Sequence, residues 1–391
     1  MFNHKKIGVY IHTPFCVKKC PYCDFYSIEY NKYNKYNKNN KYNKNLENQY
    51  FEAVAQEINF YKKKSRDCKL LVDTIYFGGG TPSLVDVDNL KLVLKTIKNI
   101  FKIKKPEITV EANPNYIDEK YLIELKKIGI NRLSFGLQSA NDDELYLLGR
   151  THTSQEAKNI IKIAQKVGFK NISVDLILGL PNQTLDKIKN SLDFIKDISV
   201  GHVSAYILQI EKNTMFNQKS VIERLPDENL VSKIYLYLVD ELKKLGLNQY
   251  EISNFAKLGL ESKHNLKYWN QEEYIGFGTA AHSFFNNKRY CLENNIYKYI
   301  GMAQDKKFNY IFENNKDNNI INEYIFLKLR MSSGIIISEM KNKFPEIFVG
   351  EFLSNIKKYY NSEYMFFDEK TIYLKPKGFL IYNTIVSNLM I

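Results

Sequence analysis

Six short apolar runs, each followed by a stretch with helical spacing, restrict this chain more than any other feature of its 391 residues. The runs are IGVYIH from Ile7, DTIYF from Asp73, EITVEA from Glu107, RLSFGL from Arg132, ISVDLIL from Ile172 and HVSAYIL from His202. Segments such as NLKLVLKTIKNIF and DEKYLIELKKIG lie between them and carry apolar residues at helical intervals. Gly129 and Gly168 stand where two of these helices should stop, just before the next strand. Strand–helix alternation of this kind builds a parallel sheet. Six units predict a partial (β/α)6 barrel, whose ligands gather at the C-terminal ends of the strands.

The pattern changes after about residue 220. A helix, NLVSKIYLYLVDELKKLG, leads into QYEISNFAK and then a loop-rich stretch to about Phe285. From about residue 318 follow two amphipathic helices and two short strands, MFFDEK and TIYLKP. The reading is α/β, with a barrel over residues 1–240 and a connecting region over 241–310. A smaller α+β, winged-helix-like domain takes residues 311–391. That tail reads as a packing module, since no basic recognition helix accompanies it.

The net charge of +13 raises the question of nucleic acid. Five of those charges sit in one tract, YNKYNKYNKNNKYNKN from Tyr30 to Asn45, which has five lysines and no acid. Such a tract cannot bury a core and is expected to be a disordered insert. The remaining excess forms no dense stripe, so no nucleic-acid partner is expected. No run of about 18 apolar residues occurs, so no membrane span is expected. The N-terminus has neither a signal peptide's apolar core nor a transit peptide's composition, which makes the cytoplasm the default.

Of five cysteines, three fall within eight residues: TPFCVKKCPYCDF places Cys16, Cys20 and Cys23 in Cys-x3-Cys-x2-Cys spacing directly after the first strand. Cys68 and Cys291 stand apart. Clustering in an apparently cytosolic chain points to metal chemistry rather than disulfides. Thiolates suit zinc or iron–sulfur centres. A closed zinc site wants four ligands, with Asp24 or His12 as the available completion. A 4Fe–4S cube held by three thiolates leaves one iron open, which is what a radical S-adenosylmethionine (SAM) centre requires.

Other strand ends agree with that reading. GGGTPS follows the second strand, where Gly78, Gly79 and Gly80 let a ligand reach bare backbone. Glu111 ends the third strand in VEANP, and its carboxylate suits ribose hydroxyls. Gln138 in GLQS and Asp175 in SVDLILGLP end the fourth and fifth, and Arg150 in LLGRTH suits a carboxylate. Each alone is compatible with a structural hydrogen bond or a surface charge; together they agree in position.

YIHTPFCVKKCPYCDF, YFGGGTPS, EANP, RLSFGLQS, LGRTH, DLILGLP and YEISNFAK closely resemble the oxygen-independent coproporphyrinogen III oxidase family of radical SAM proteins, and within it the heme-chaperone branch. The resemblance covers nearly the whole chain outside the insert. It implies a 4Fe–4S cluster on Cys16, Cys20 and Cys23, with SAM contacts at Tyr10, Tyr22, Gly79, Gly80, Thr81, Glu111, Gln138, Arg150 and Asp175. Tyr22 is the loosest match, because the oxidases carry Phe there. Two features set this chain apart from the oxidases. Phe25 stands where they have a further cysteine, and HNLKYW, His264 to Trp269, matches the chaperones' HNxxYW pattern. Gln209 also falls where the oxidases have a small residue lining a second SAM pocket.

The chemistry of HNLKYW suits heme: imidazole ligates heme iron, and Tyr268 and Trp269 offer flat apolar faces. His12, His152, His202 and His282 compete as ligands, together with the two spare cysteines, Cys68 and Cys291; His282 in GTAAHSF is the reserve. The implied function is binding heme and passing it to an acceptor protein, with SAM, the cluster and an electron donor for it. The alternatives are an oxidase that decarboxylates coproporphyrinogen III and a zinc-stapled nucleic-acid binder.

Overall fold

The computed structural model describes residues 4–30, 40–313, 318–359 and 362–391. The six expected barrel strands are all present: β1 (Lys5–Thr13), β2 (Leu70–Gly79), β3 (Lys102–Ala112), β4 (Arg132–Gln138), β5 (Asn171–Leu178) and β6 (His202–Ile207). Helices alternate with them: α1 (Asn40–Phe60), α2 (Val87–Ile100), α3 (Glu119–Ile128), α4 (Ser154–Val167), α5 (Leu185–Ile198) and α6 (Glu228–Lys244). α3 and α4 end on Gly129 and Gly168 at φ 105° and 98°, a left-handed conformation that side chains resist. α4 opens with a capping box in which Thr153 and Glu156 satisfy each other's backbone N–H groups.

The chain forms two compact units. The first comprises residues 1–175, 209–223 and 272–313. Here β1 to β4 pair in parallel in sequence order, with β5 next in the sheet. Ile7, Val9 and Ile11 are fully buried, as are Ile75, Phe77, Val110, Leu133 and Phe135, so the strands present apolar side chains to covering helices. Burying each such side chain contributes roughly 1.5–3 kcal/mol, which makes this sheet the stable scaffold of the unit. Against the expectation of a loop-rich stretch to about Phe285, two strands fall within it, and residues 272–313 as a whole extend the same sheet. β9 (Tyr274–Phe277) pairs in parallel with β1, and β10 (His282–Phe285), β11 (Lys288–Cys291) and β12 (Ile311–Phe312) continue it antiparallel. These strands have two to four residues each, too short to show an alternating pattern. One tight contact is legible only in three dimensions: a Cβ on Gly276 would collide with the His282 carbonyl.

The second unit comprises residues 176–208, 224–271 and 314–391. In it β6 pairs antiparallel with β8 (Asn254–Ala256), which pairs with β7 (Asn248–Glu251). The C-terminal segment contributes helices Asn318–Leu329, Ile337–Lys343 and Glu346–Ile356. The expected hairpin, Met365–Phe367 with Thr371–Leu374, gains Ile335–Ile336 as a third strand. Two further helices close the chain.

The lysine-rich tract needs correction at its edges. Residues 31–39 lie outside the described residues, but Tyr30 is buried against Phe15 and donates to Glu47, while Asn40 to Asn45 belong to α1. The expected disordered segment therefore does not reach residue 30 or residues 40–45: an aromatic anchor holds one end and a helix the other. Among the described residues no helix is long and apolar enough to cross a membrane.

Candidate functional site

All three clustered cysteines lie on the loop that follows β1, half-buried and free of disulfides. The loop is fastened at its base. Gly80 N–H donates to the Thr13 carbonyl at 2.8 Å and Thr81 N–H to the Phe15 carbonyl at 2.8 Å. A Cβ on Gly80 would stand 2.7 Å from Thr13 O and 2.8 Å from Phe15 O, so the close approach of GGGTPS to the cysteine loop requires glycine there. Gly79, at φ 109°, needs glycine for its conformation as well. Thr81 Oγ1 lies 3.5 Å from Cys16 Sγ. Burial raises the Cys16 and Cys23 thiols, as do the neighbouring cysteines, so the apo loop keeps these two thiols protonated. A bound cation would reverse that, because thiolate is the ligating form.

The other expected residues converge on the same end of the sheet. A cleft of ≈ 110 Å³ is lined by Gly80, Thr81, Glu111, Gln138, Arg150 and Asp175, together with Ser134 and neighbouring backbone. Glu111 accepts from the Tyr76 hydroxyl at 2.8 Å and from Gly79 N–H at 3.2 Å. Its carboxylate is enclosed, and burial, aided by the Asp175 charge, pushes its pKa up to about 7. Asp175 accepts from Ser134 Oγ at 3.2 Å. Arg150 donates through Nη2 to the Gly136 carbonyl at 2.7 Å and points Nη1 at Cys20 Sγ, 3.8 Å away. Its buried Nε has no partner among the described residues. Tyr10 stacks on Tyr76, its register partner, and shares a hydrogen bond with His12 Nδ1 at 3.1 Å. Tyr22 packs near Phe216. Gln138 sits at φ 70°, a turned backbone at the end of β4. Phe25 is 70% exposed and Gln209 is exposed.

The sequence reading missed Tyr76 and Ser134, which position Glu111 and Asp175. Their only trace is their place on strands whose neighbours had already been singled out. Among the described residues, no three of His, Cys, Asp and Glu converge tightly enough for a single metal ion. A cuboidal cluster makes a different demand, one thiolate on each of three irons. Three soft donors on a half-buried loop, a cationic guanidinium beside one of them and a glycine-floored polar cleft fit such a cluster with SAM.

HNLKYW belongs to the second unit and is a helix, α7 (Lys263–Trp269). His264 is 1% exposed and shares a 2.8 Å hydrogen bond between Nε2 and the Tyr268 hydroxyl, one helical turn on. The Arg330 guanidinium lies 4.6 Å from the Trp269 ring centroid. The Tyr250 hydroxyl, 2.8 Å from His202 Nε2, accepts from Ser262 N–H at the helix start. His12 and His152 are also buried, each with a ring nitrogen near a backbone carbonyl, and burial lowers both pKa values to about 4. His282 is exposed.

Residues 10–195 match the family model of the radical SAM superfamily. The architecture agrees: the fold superposes on the Escherichia coli coproporphyrinogen III oxidase HemN, a radical SAM enzyme, with a TM-score of 0.83 at 20% identity, covering 99% of this chain and 90% of that one. The fold is thus the partial (β/α)6 radical SAM barrel with additional C-terminal elements. Along its sequence the chain is 32% identical to the heme chaperone HemW of Lactococcus lactis, covering 99% of this chain and 98% of that protein. It is 34% identical to HemW of Bacillus subtilis, covering 97% of each. The chain belongs to the HemW family.

Proposed function

We propose that this protein is a radical SAM heme chaperone, binding heme and delivering it to an acceptor protein in the cytoplasm. The observation that carries the reading is its full-length likeness to relatives named as heme chaperones, joined to an exposed Phe25 where an oxidase has a thiol. In this reading Cys16, Cys20 and Cys23 hold a 4Fe–4S cluster. Gly79, Gly80 and Thr81 receive SAM, with Tyr10, Tyr22 and Gln138 alongside. Glu111 and Asp175 accept its hydroxyl hydrogen bonds, and Arg150 pairs with its carboxylate through a charge-assisted contact. A reduced cluster of this class supplies an electron to SAM, and a separate donor protein must reduce it.

Heme is assigned to α7, with His264 as iron ligand and Tyr268 and Trp269 as faces. Because Tyr268 already engages His264 Nε2, ligation there requires that hydrogen bond to open. Two assays on anaerobically reconstituted protein test the function. Hemin-loaded protein should pass heme to an apo-heme protein, and reduced protein with SAM should release no carbon dioxide from coproporphyrinogen III. Sustained decarboxylation restores the oxidase assignment.

A further inference from the structure

A carrier must present its heme where a donor and an acceptor can reach the iron. Four of the six histidines, His12, His152, His202 and His264, are buried with a ring nitrogen engaged. His282 differs: it is exposed, and none of its ring atoms is engaged in a hydrogen bond among the described residues.

Its neighbours are chemically suggestive. β10 and β11 pair antiparallel with His282 directly opposite Cys291, and Cys291 is opposite Ile311 on β12. Residues opposite one another in a sheet project from the same face with Cβ atoms roughly 4.5–5.5 Å apart. One row of that face therefore carries an imidazole, a thiol and an isoleucine that is 55% exposed. The next row on the same face carries Phe284 and Arg289, the guanidinium 4.7 Å from the ring centroid. The row also lies at the cysteine-loop end of the unit. β9 runs parallel to β1 and β10 antiparallel to β9, so His282 at the start of β10 stands at the end of the sheet where β1 gives way to the cysteine loop. Just beyond β11, Ile296 N–H donates to the hydroxyl of Tyr26, three residues after Cys23.

We propose that His282 is an axial ligand for heme iron at an exposed site on the β10–β11 hairpin, with Cys291 as the alternative ligand on the same side of the porphyrin. This rests on the heme-carrier reading above; His282 and His264 are alternative iron ligands within it, and the titration below separates them. The two side chains project from one face, so they cannot straddle a porphyrin and must compete for one axial position. Burial and the Glu313 carboxylate push the Cys291 thiol up, which disfavours the thiolate that would compete with the imidazole. Ile311 supplies apolar surface against the macrocycle, and Arg289 supplies a cation of the kind that pairs with propionate.

Hemin titration of the full, anaerobically reconstituted chain tests this, with the 4Fe–4S absorbance and circular dichroism as controls for folding. His282→Ala should weaken hemin binding about tenfold or more and shift the Soret band. His282→Ala combined with Cys291→Ser should weaken it further. Parental affinity and spectrum in His282→Ala overturn the assignment, and so does a loss seen only in His264→Ala, which leaves the heme-carrier reading standing. If the parent protein takes up no hemin, that reading fails first. Zinc(II) alone provides the last arm. Stoichiometric zinc uptake that depends on His282 and leaves hemin binding undisturbed identifies a free-metal site and overturns the heme ligand.

Discussion

The cysteine-loop cleft and the HNLKYW helix were both singled out by residue type, yet they are built in opposite ways. At the cleft, polar groups stand around open space: among the described residues Arg150 Nε is buried without a partner, Cys16, Cys20 and Cys23 form no disulfide, and Glu111 sits beside Asp175 with its pKa raised by enclosure and that charge. Groups held this way cost stability until a ligand satisfies them. In α7 the side chains lean on one another instead, although Trp269 Nε1 is buried without a hydrogen-bond partner among the described residues. His264 bonds Tyr268, Arg330 covers Trp269, and the Ser262 cap is tied to Tyr250. The first arrangement leaves open space beside its polar groups; the second is packed and must open before a ligand can reach His264.

The sharpest way to break this contrast is at the thiols. Replacing Cys16, Cys20 or Cys23 by Ala should abolish the 4Fe–4S absorption and paramagnetic signals, whereas Cys68→Ala and Cys291→Ala should keep full iron content. A full complement of iron in Cys20→Ala would refute the cluster assignment. Because the free thiols contribute little packing, thermal stability of the apo variants should change little.

A smaller effect is expected around the cleft. Glu111→Ala and Arg150→Ala should retain the cluster and weaken SAM binding, each by roughly ten- to hundredfold, as loss of a charge-assisted hydrogen bond costs about 1.5–3 kcal/mol. Equilibrium binding of SAM to reconstituted protein measures this. Unchanged affinity in both variants moves the pocket elsewhere.

The smallest effect separates the packed helix from the open cleft. His264→Ala should lower folding stability by about 1–3 kcal/mol, since it removes a buried ring and orphans the Tyr268 hydroxyl. Trp269→Ala should also destabilise, through lost packing and the Arg330 contact, itself worth about 0.5–2 kcal/mol. Urea denaturation of apo protein reads both. Parental midpoints and slopes would show that α7 is not held as its contacts imply.

How much was legible beforehand follows from the range of the forces involved. Strand–helix alternation, the glycine helix stops and the three-cysteine spacing are local patterns, so β1 to β6 and the cysteine loop could be read from the chain directly. Glu111, Gln138, Arg150 and Asp175 were legible because a parallel sheet puts successive strand ends side by side, and the structure does bring them to one cleft. Tyr76 and Ser134 were not, because their role depends on which neighbour each side chain reaches across the sheet.

Residues 272–313 mark the other limit. Their short strands carry no periodicity, and their pairing with β1 joins positions more than 260 residues apart in sequence, such as Tyr10 and Gly276. Only loop closure and the burial of Ile275 and Phe277 against the sheet decide that register. Burial likewise divides the histidines. By itself the sequence determined which side chains are capable of holding iron, since ligand chemistry belongs to the residue. Tertiary structure alone decided that His264 is enclosed and His282 is open, because exposure is set by what packs from distant parts of the chain.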